Sequence, residues 1–515
     1  MRIEFSDDAC GPRNWRVGLA RRLEAGGHRE TCQRRNGPRD QGAEAGFALL
    51  FAFERIVYGI AVPDAIDAKA VMPNAMPDDA KPELAIDFDG SALASPVEIL
   101  ALVPLYDGRP GEAAAMEALL DGRAPSLSVA LRAPADGEAR LVATGLPALT
   151  EPRIFTRSLD NVLSRMSALL LNAIAALVSK GPAGLDEALP LMPRPSRRPP
   201  GPGRATAFIL GSLKAKVAAR LARMSIHPDH WRIGFRFTAG DETGRRLDWP
   251  ASPYAFLRDD GARYYADPFI FWHRGVAHVF CEEYPYAMQK GVISVFTISP
   301  DGGASPPRIV LERPYHLSYP MVIERDGAIF MIPESSANRT VEIYRAVEFP
   351  HEWRLERVLI EKVEASDATL LEHDGRLWLF ATLSEAGSSS WDTLGLFHAQ
   401  SLMGPWSPHA ANPLLIDAGT ARPAGMMFSR QGALIRPAQD CTRGYGSGLA
   451  LCRIDLLDTE HYRQSLLTKL APLPAWHADG THTLNAAGGL EVIDSVGPLA
   501  KNGKPIIGGG PPKAC

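Results

Sequence analysis

An internal repeat dominates the C-terminal half of the sequence. Five times, a short apolar run leads into a glycine turn and a second apolar run follows; the turn glycines are Gly275, Gly327, Gly375, Gly432 and Gly489. Their spacing is close to the roughly 40–50 residues of a propeller blade. A further apolar run follows in each of the first four repeats, at 292–296, 341–344, 394–397 and 449–454. Identical antiparallel units need radial closure to protect their edges, so the repeat predicts a five-bladed β-propeller over residues 225–495.

The chain before the repeat predicts an α/β domain over residues 1–190. Its patterns indicate strands at 49–53, 83–88 and 126–131, and helices at 111–120 and 156–178. A segment rich in proline and arginine, 191–204, predicts an extended linker, because proline fixes φ and removes a hydrogen-bond donor. An amphipathic helix is predicted at 205–224, and the Gly/Pro-rich end, 496–515, is predicted to be disordered.

Composition narrows the class of protein. With 46% hydrophobic and 22% charged residues the chain is typical of soluble globular proteins, and its net charge of −4 gives no general reason to expect nucleic acid as a partner. The six cysteines show no C-x-x-C spacing, so neither a zinc site nor a disulfide framework is predicted. No cofactor is predicted either.

The N-terminal residues and the apolar windows of the sequence predict a cytoplasmic location. The N-terminus lacks the apolar segment of a secretory signal, and the most apolar window, 166–178, is too short to span a bilayer as a helix. Peripheral membrane contact stays open, because the helix at 205–224 carries Lys214, Lys216, Arg220 and Arg223. The preferred explanation of those charges is the solvated face of a helix packed on a domain, as in most surface helices.

The repeat aligns polar residues of chemical interest. Eight positions before the turn glycines stand Asp267, Tyr319, Asp367, Ala424 and Thr481. Seven positions after the first four stand Glu282, Glu334, Thr382 and Gln439. Equivalent positions of different blades converge around one axis, so carboxylates in these registers predict a shared site.

Asp267, Glu334 and Asp367 are the catalytic candidates, because cleavage of a glycosidic bond uses two carboxylates that flank it. The alternative is that the two aspartates bond backbone amides at strand ends. Candidates for binding sugar hydroxyls or a phosphate are Tyr319, Asn338, Arg339, Arg436, Gln439, Asp440 and His482. Arg339 and Asp440 are equally candidates for ion pairs between blades. Two histidines, His477 and His482, are too few for a metal centre.

Several linked motifs carry a resemblance to a known family. Tyr-Ala-Asp-Pro-Phe-Ile-Phe at 265–271, Tyr-His-Leu-Ser-Tyr-Pro at 315–320 and Ile-Pro-Glu-Ser-Ser-Ala-Asn-Arg-Thr at 332–340 resemble the N-terminal domain of glucosamine inositolphosphorylceramide transferases. The resemblance covers roughly 225–495. That domain is in turn similar to the five-bladed propellers of arabinanase-, xylosidase- and invertase-like glycosidases.

The resemblance implies a sugar or glycolipid substrate bound in the central funnel, and a part in cell-surface polysaccharide or glycolipid biosynthesis, with a separate glycosyltransferase as a candidate partner. Asp267 matches the first-blade carboxylate of the glycosidases, and His482 resembles a fifth-blade histidine that approaches a channel ion. The second blade begins Ser-Tyr-Pro, without the aspartate of the hydrolase pattern. A glycoside hydrolase and a non-catalytic glycan-binding module are the alternatives, so whether the chain is an enzyme stays open.

The N-terminal region is similar to formyltransferase-like domains at Tyr-Asp-Gly-Arg-Pro-Gly, 106–111, and Leu-Leu-Asp-Gly-Arg-Ala-Pro, 119–125. Formyl transfer in that family needs a histidine, and the sequence has none between His28 and His227. The resemblance therefore implies an inactive domain.

Overall fold

The computed structural model describes residues 1–7, 14–34, 41–60, 81–94, 97–134, 139–182, 202–384 and 388–501. The chain divides into two compact units, the first made mainly of Met1–Ala218 and the second mainly of residues from 219 onward. The predicted linker lies largely outside the described residues.

The first unit contains one mixed sheet. Its strands are β1 Arg2–Asp7, β2 Arg29–Arg34, β3 Leu84–Asp87, β4 Leu100–Tyr106, β5 Arg109–Pro110, β6 Leu127–Arg132 and β7 Arg140–Gly145. The order is β2-β1-β3-β4-β6-β7, with β5 paired to β4. The four strands from β2 to β4 run parallel, whereas β6 and β7 are antiparallel to their neighbours. The predicted α/β character is confirmed.

Six helices accompany this sheet in the described part of the chain: α1 Asn14–Ala25, α2 Gln41–Tyr58, α3 Ser91–Ala94, α4 Glu112–Leu120, α5 Phe155–Lys180 and α6 Pro202–Ser225. The predicted strand at 49–53 is wrong, because it forms part of α2. A short apolar run does not distinguish a strand from a buried helix by periodicity. The first residues of α6, 202–204, had been assigned to the linker.

Helix α5 is longer than its most apolar window suggests. Within the described ranges it is the one helix long and apolar enough to cross a membrane by length and composition, so the argument from a short window is wrong. Burial explains the composition equally well: 56% of the tested window is buried, and Val162, Met166, Leu170 and Ile174 face the core. Core helices of soluble proteins show the same features.

The second unit is a five-bladed β-propeller, as predicted. In chain order its strands are β8 Ile226–Phe237, β9 Ala255–Phe256, β10 Arg263–His273, β11 Val276–Pro285, β12 Val292–Ile298, β13 Arg308–Leu311, β14 Ser318–Arg325, β15 Ala328–Ser335, β16 Thr340–Glu348, β17 Glu352–Glu361, β18 Glu364–His373, β19 Arg376–Ser384, β20 Thr393–Ala399, β21 Ser407–Pro408, β22 Leu415–Ile416, β23 Phe428–Arg430, β24 Ala433–Asp440, β25 Gly448–Leu457, β26 Tyr462–Leu470, β27 Leu484–Ala487 and β28 Leu490–Ala500. A short helix, α7 Thr243–Arg246, lies between β8 and β9. The first four blades are β10–β13, β14–β17, β18–β22 and β23–β26.

The fifth blade joins the two ends of the unit. Its strand order is β27-β28-β8-β9, so strands from the start of the propeller complete a hairpin from its end. A buried ion pair links β8 to β28: Arg236 Nε donates to a Glu491 carboxylate oxygen at 2.9 Å. β28 runs to Ala500, so residues 496–500 are strand rather than disordered tail; residues 502–515 lie outside the described ranges.

The turn between the first two strands of each blade explains the repeated glycines. Each turn glycine has φ between 70° and 80°, and the residue before it also has a positive φ. Two consecutive left-handed residues define the type I′ turn, whose twist matches the flanking strands. Apolar residues of neighbouring blades then pack together; for example Phe280 and Ile293 of the first blade share one core cluster with Val322 and Met331 of the second.

Candidate functional site

The first strand of three blades carries the same irregularity. Asp267, Tyr319 and Asp367 have φ of 51°, 46° and 57°, and the ladder with the second strand skips register at each of them. All three side chains are at least 96% buried. Left-handed non-glycine residues are uncommon and collect at functional sites. In these three blades the position eight residues before the turn glycine is therefore a β-bulge.

Two glutamates stand beside these bulges. Glu282 pairs with Ala266, and Glu334 pairs with Ser318, each directly before the left-handed residue of the facing strand. Both glutamates are buried. The structure thus brings Asp267, Glu334 and Asp367 into one layer, and it adds Glu282, which sequence reasoning placed in register without selecting it.

Arg422 holds two of these carboxylates. Its Nε donates to Asp367 Oδ2 at 2.6 Å, and its Nη2 lies 3.9 Å from Glu334 Oε2. Gln439 Nε2 donates to the same Asp367 oxygen at 2.9 Å, and the Asp367 amide donates to Glu334 Oε2 at 3.1 Å. The guanidinium also lies 5.0 Å from the ring centre of Tyr445. Asp367, Glu334 and Gln439 therefore form a buried network centred on Arg422.

Asp267 belongs to a second network with His482 and Asp494. Thr483 Oγ1 donates to Asp267 Oδ1 at 2.9 Å, and the Asp267 amide donates to Asp494 Oδ2 at 3.1 Å. Asp494 Oδ1 accepts the amides of His482 and Thr483 at 2.8 and 3.0 Å. His482 Nδ1 is 2.5 Å from Asp494 Oδ2. Asp267 thus bonds residues of the fifth blade, but its carboxylate accepts the Thr483 hydroxyl rather than a backbone amide, which the alternative for strand-end aspartates had required.

Three of these side chains, Asp267, His482 and Asp494, bring potential metal ligands within 4.8 Å of one another. Burial alone lowers the pKa of His482, but the carboxylates of Asp494 and Asp267 outweigh it and raise that pKa. Asp494 accepts the backbone amides of Asp267, His482 and Thr483 and contacts the His482 ring, so these side chains form a hydrogen-bonded network.

Glu282 and Glu334 occupy unlike electrostatic environments. Burial, together with the charges of Asp267 and Glu334, raises the pKa of Glu282 well above its usual range. Burial opposes ionisation of Glu334 as well, but Arg422 and the Ser336 hydroxyl hold the pKa of Glu334 below its usual range. The pKa values of the two glutamates are thus shifted in opposite directions, a pattern that pairs of acid and base groups share.

Half-buried aromatic rings adjoin Glu282. Tyr264 and Tyr284 face each other across β10 and β11 with parallel rings 4.9 Å apart, and Tyr264 Oη lies 3.4 Å from Glu282 Oε1. His316 Nε2 also lies 3.4 Å from that oxygen. Aromatic faces with polar tips next to a carboxyl group are suited to binding a sugar ring.

The other predicted site residues either pack in the core or lie away from the Arg422 and His482 networks. Tyr319 is fully buried, and its hydroxyl bonds Thr369 and the Gly425 amide, so its ring packs in the core. Arg436 is equally buried and donates to Thr420, Ala421 and Gln464.

Asn338 and Arg339 are exposed. Asn338 donates to Glu342 of its own blade, whereas Arg339 pairs with Glu364 of the next blade, as the ion-pair alternative predicted. Asp440 pairs with Lys469 inside the fourth blade.

Sequence reasoning missed Arg422, Asp494 and Tyr445. Arg422 lies two positions before Ala424, so the register used to align the blades excluded it. Asp494 directly follows the last apolar run. Its position was a clearer signal of a buried polar network, because a carboxylate in a buried strand needs hydrogen-bond donors or a cation beside it.

Comparison with known proteins confirms the predicted resemblance of the propeller. Residues 256–485 match the family model "Glucosamine inositolphosphorylceramide transferase 1, N-terminal". Glucosamine inositolphosphorylceramide transferase 1 of Oryza sativa subsp. japonica is 36% identical over 236 residues, 44% of this chain and 32% of the relative. The Arabidopsis thaliana protein of the same name is 32% identical over 207 residues, 39% of this chain and 27% of the relative. The chain therefore spans about a third of the length of these relatives or less.

Similar solved structures include glycoside hydrolases. Zg3597, a family 117 glycoside hydrolase of Zobellia galactanivorans, has 11% identity and a TM-score of 0.33, and the match covers 47% of this chain and 76% of that one. An exo-1,5-α-L-arabinanase from a bovine ruminal metagenomic library has 14% identity and a TM-score of 0.32, over 49% and 100% of the two chains. The formyltransferase-like resemblance of residues 1–190 is not confirmed by these matches and stays a prediction.

Proposed function

We propose that the propeller binds a sugar or glycolipid beside Glu282 and Glu334 and acts in the assembly of a cell-surface polysaccharide or glycolipid. The observation that carries the proposal is the convergence of buried carboxyl groups from three blades at equivalent bulges, next to the tyrosine pair of the first blade. The matching relatives carry the name glucosamine inositolphosphorylceramide transferase 1, which supports a sugar or glycolipid as the substrate class.

The two glutamates supply the chemistry in this proposal. Glu282 donates its proton to the oxygen that leaves the anomeric carbon, and ionised Glu334 stabilises the positive charge that develops on that carbon from the opposite side. As the acceptor hydroxyl bonds to the same carbon, the Glu282 carboxylate takes up its proton. Asp367 and Arg422 hold Glu334 in place. The same pair serves a hydrolase if water is the acceptor, so hydrolysis is the second candidate, favoured by the unlike pKa shifts of these two residues.

A glycan array probed with the purified full chain, followed by product analysis on each bound glycan, tests the proposal. Glu282→Gln is the diagnostic variant. Glu283→Gln is its matched control, because Glu283 is the next residue of β11 and equally buried, yet bonds Arg263 and Ser294 instead. We expect Glu282→Gln to lower turnover by at least about 100-fold, the scale of general acid catalysis, and Glu283→Gln to preserve it.

The pH dependence of that turnover has a defined sign. Activity should rise from acidic pH as Glu334 ionises, below the usual range for glutamate, and fall at higher pH as Glu282 loses its proton. Glu282→Gln should remove the fall. Binding without product from the wild type would instead favour a glycan-binding module, and a lack of binding to every glycan would contradict the proposal.

A further inference from the structure

Helix α6 presents an unpartnered apolar stripe. Leu210, Leu213, Val217, Leu221 and Met224 are 62%, 43%, 51%, 61% and 74% exposed. They are three or four positions apart, so they line one side of the helix. Five large apolar side chains in a row on one helix face form a contiguous patch, which marks an interaction site more often than scattered surface residues do.

The opposite side of α6 is held by the first unit. Phe208 is buried, with its ring 6.1 Å from that of Phe155, and Ser212 Oγ donates to the Arg153 carbonyl oxygen at 2.7 Å. At about 100° per residue, Ser212 points away from the stripe. These contacts therefore lie on the side of α6 opposite the stripe.

The end of α2 contacts α6 on the side that faces away from the stripe. Lys216 Nζ donates to the Val57 carbonyl oxygen at 2.6 Å, and the Tyr58 hydroxyl lies 2.5 Å from Ser212 Oγ. These two contacts, like those of Phe208, leave the stripe residues exposed.

The sequence segment that contains the stripe carries only basic charges. From 188 to 228 the sequence contains no aspartate or glutamate, in a chain whose net charge is −4. The basic residues of this segment are Arg194, Arg197, Arg198, Arg204, Lys214, Lys216, Arg220 and Arg223. Lys214 borders the stripe on one side and Arg220 on the other, by their positions in the helix. A second copy of the chain would bring two such surfaces of like charge together, which disfavours a dimer through this face.

We propose that α6 is a membrane-surface anchor that lies on an anionic bilayer, with its apolar stripe among the acyl chains and its lysines and arginines at the lipid phosphates. An exposed apolar stripe bordered by basic residues is the arrangement of interfacial helices, and a cluster of Lys and Arg of this size is attracted to anionic lipid. The proposal is independent of the function of the propeller.

Co-sedimentation of the full chain with vesicles tests the anchor. We expect at least tenfold tighter binding to phosphatidylcholine vesicles that contain phosphatidylserine than to phosphatidylcholine alone, and weaker binding at high salt. The double variant Val217→Ser with Leu221→Ser should lose about tenfold or more. Lys214→Gln with Arg220→Gln should lower the preference for phosphatidylserine.

A matched control separates the stripe from general surface apolarity. Val347 and Leu466 of the propeller are 58% and 49% exposed, similar to Val217 and Leu221. Val347→Ser with Leu466→Ser should bind vesicles as the wild type does, and circular dichroism should show all variants folded. Equal binding to both vesicle types, or equal effects of the two serine pairs, would overturn the proposal. So would a dimer, detected by light scattering, that the stripe variant dissociates.

Discussion

At the scale of single residues, two basic side chains pair with most of the buried carboxyl groups of the propeller site. Arg422 lies beside Asp367 and Glu334, and His482 lies beside Asp494 and Asp267. Glu282 contacts only weaker partners among the described residues, a phenol and a half-exposed imidazole, each at 3.4 Å. A buried acid in that position is expected to keep its proton. The raised pKa of Glu282 thus follows from its burial, while Arg422 and His482 pair with the other carboxylates.

His482→Gln should make stability depend less on pH. Because the folded-state pKa of His482 is raised above its unfolded value of about 6.5, its stabilising contribution is fully present below that pH and lost as pH rises through the folded pKa. The variant should cost about 3–5 kcal/mol near pH 6, the scale for removing one partner of a buried pair, and less at alkaline pH. Urea unfolding across pH measures the difference. His477→Gln, at an exposed histidine, is the control, and a cost that does not vary with pH would contradict the assignment.

At the scale of elements, the fifth blade closes the ring with strands from opposite ends of the propeller. β8 pairs with β28 over almost its whole length, from Ile226 to Phe237. A blade made of β27 and β28 alone would be a hairpin, which is marginal in water. The weak fifth repeat in the sequence is explained, because half of that blade is encoded before the first.

Ile233→Ala tests how much this closure contributes. Ile233 of β8 is fully buried in the cluster that contains Leu490 and Val492 of β28. Its truncation should cost about 2–5 kcal/mol in the free energy of unfolding. Ile309→Ala, at a position of β13 that is 46% exposed, should cost less than about 1 kcal/mol. Equal costs in urea unfolding would mean that β8 contributes no more than a peripheral strand.

At the scale of the whole molecule, each unit has its own core. Val162 on α5 and Val279 on β11 are both fully buried, one in each unit. Chains with separate cores commonly unfold in more than one step.

Scanning calorimetry should therefore resolve two transitions. Val162→Ala should lower the temperature of one transition and Val279→Ala that of the other, by a few degrees each, as the loss of buried methyl groups implies. A single transition that both substitutions shift equally would show that the units unfold together.

The amino-acid sequence by itself determined the propeller and the register of its site. Five glycine turns between apolar runs are local signals, because a type I′ turn and an alternating strand depend on neighbouring residues. The same register located Asp267, Glu334 and Asp367, since the blades repeat the same local geometry. The tertiary structure alone decided what lies around them. Arg422 is 55 positions from Asp367, and Asp494 is 227 positions from Asp267, so their pairing arises only when the blades close into a ring. Packing likewise decided that residues 49–53 are helical, because a short apolar run is compatible with strand or helix until its neighbours are in place.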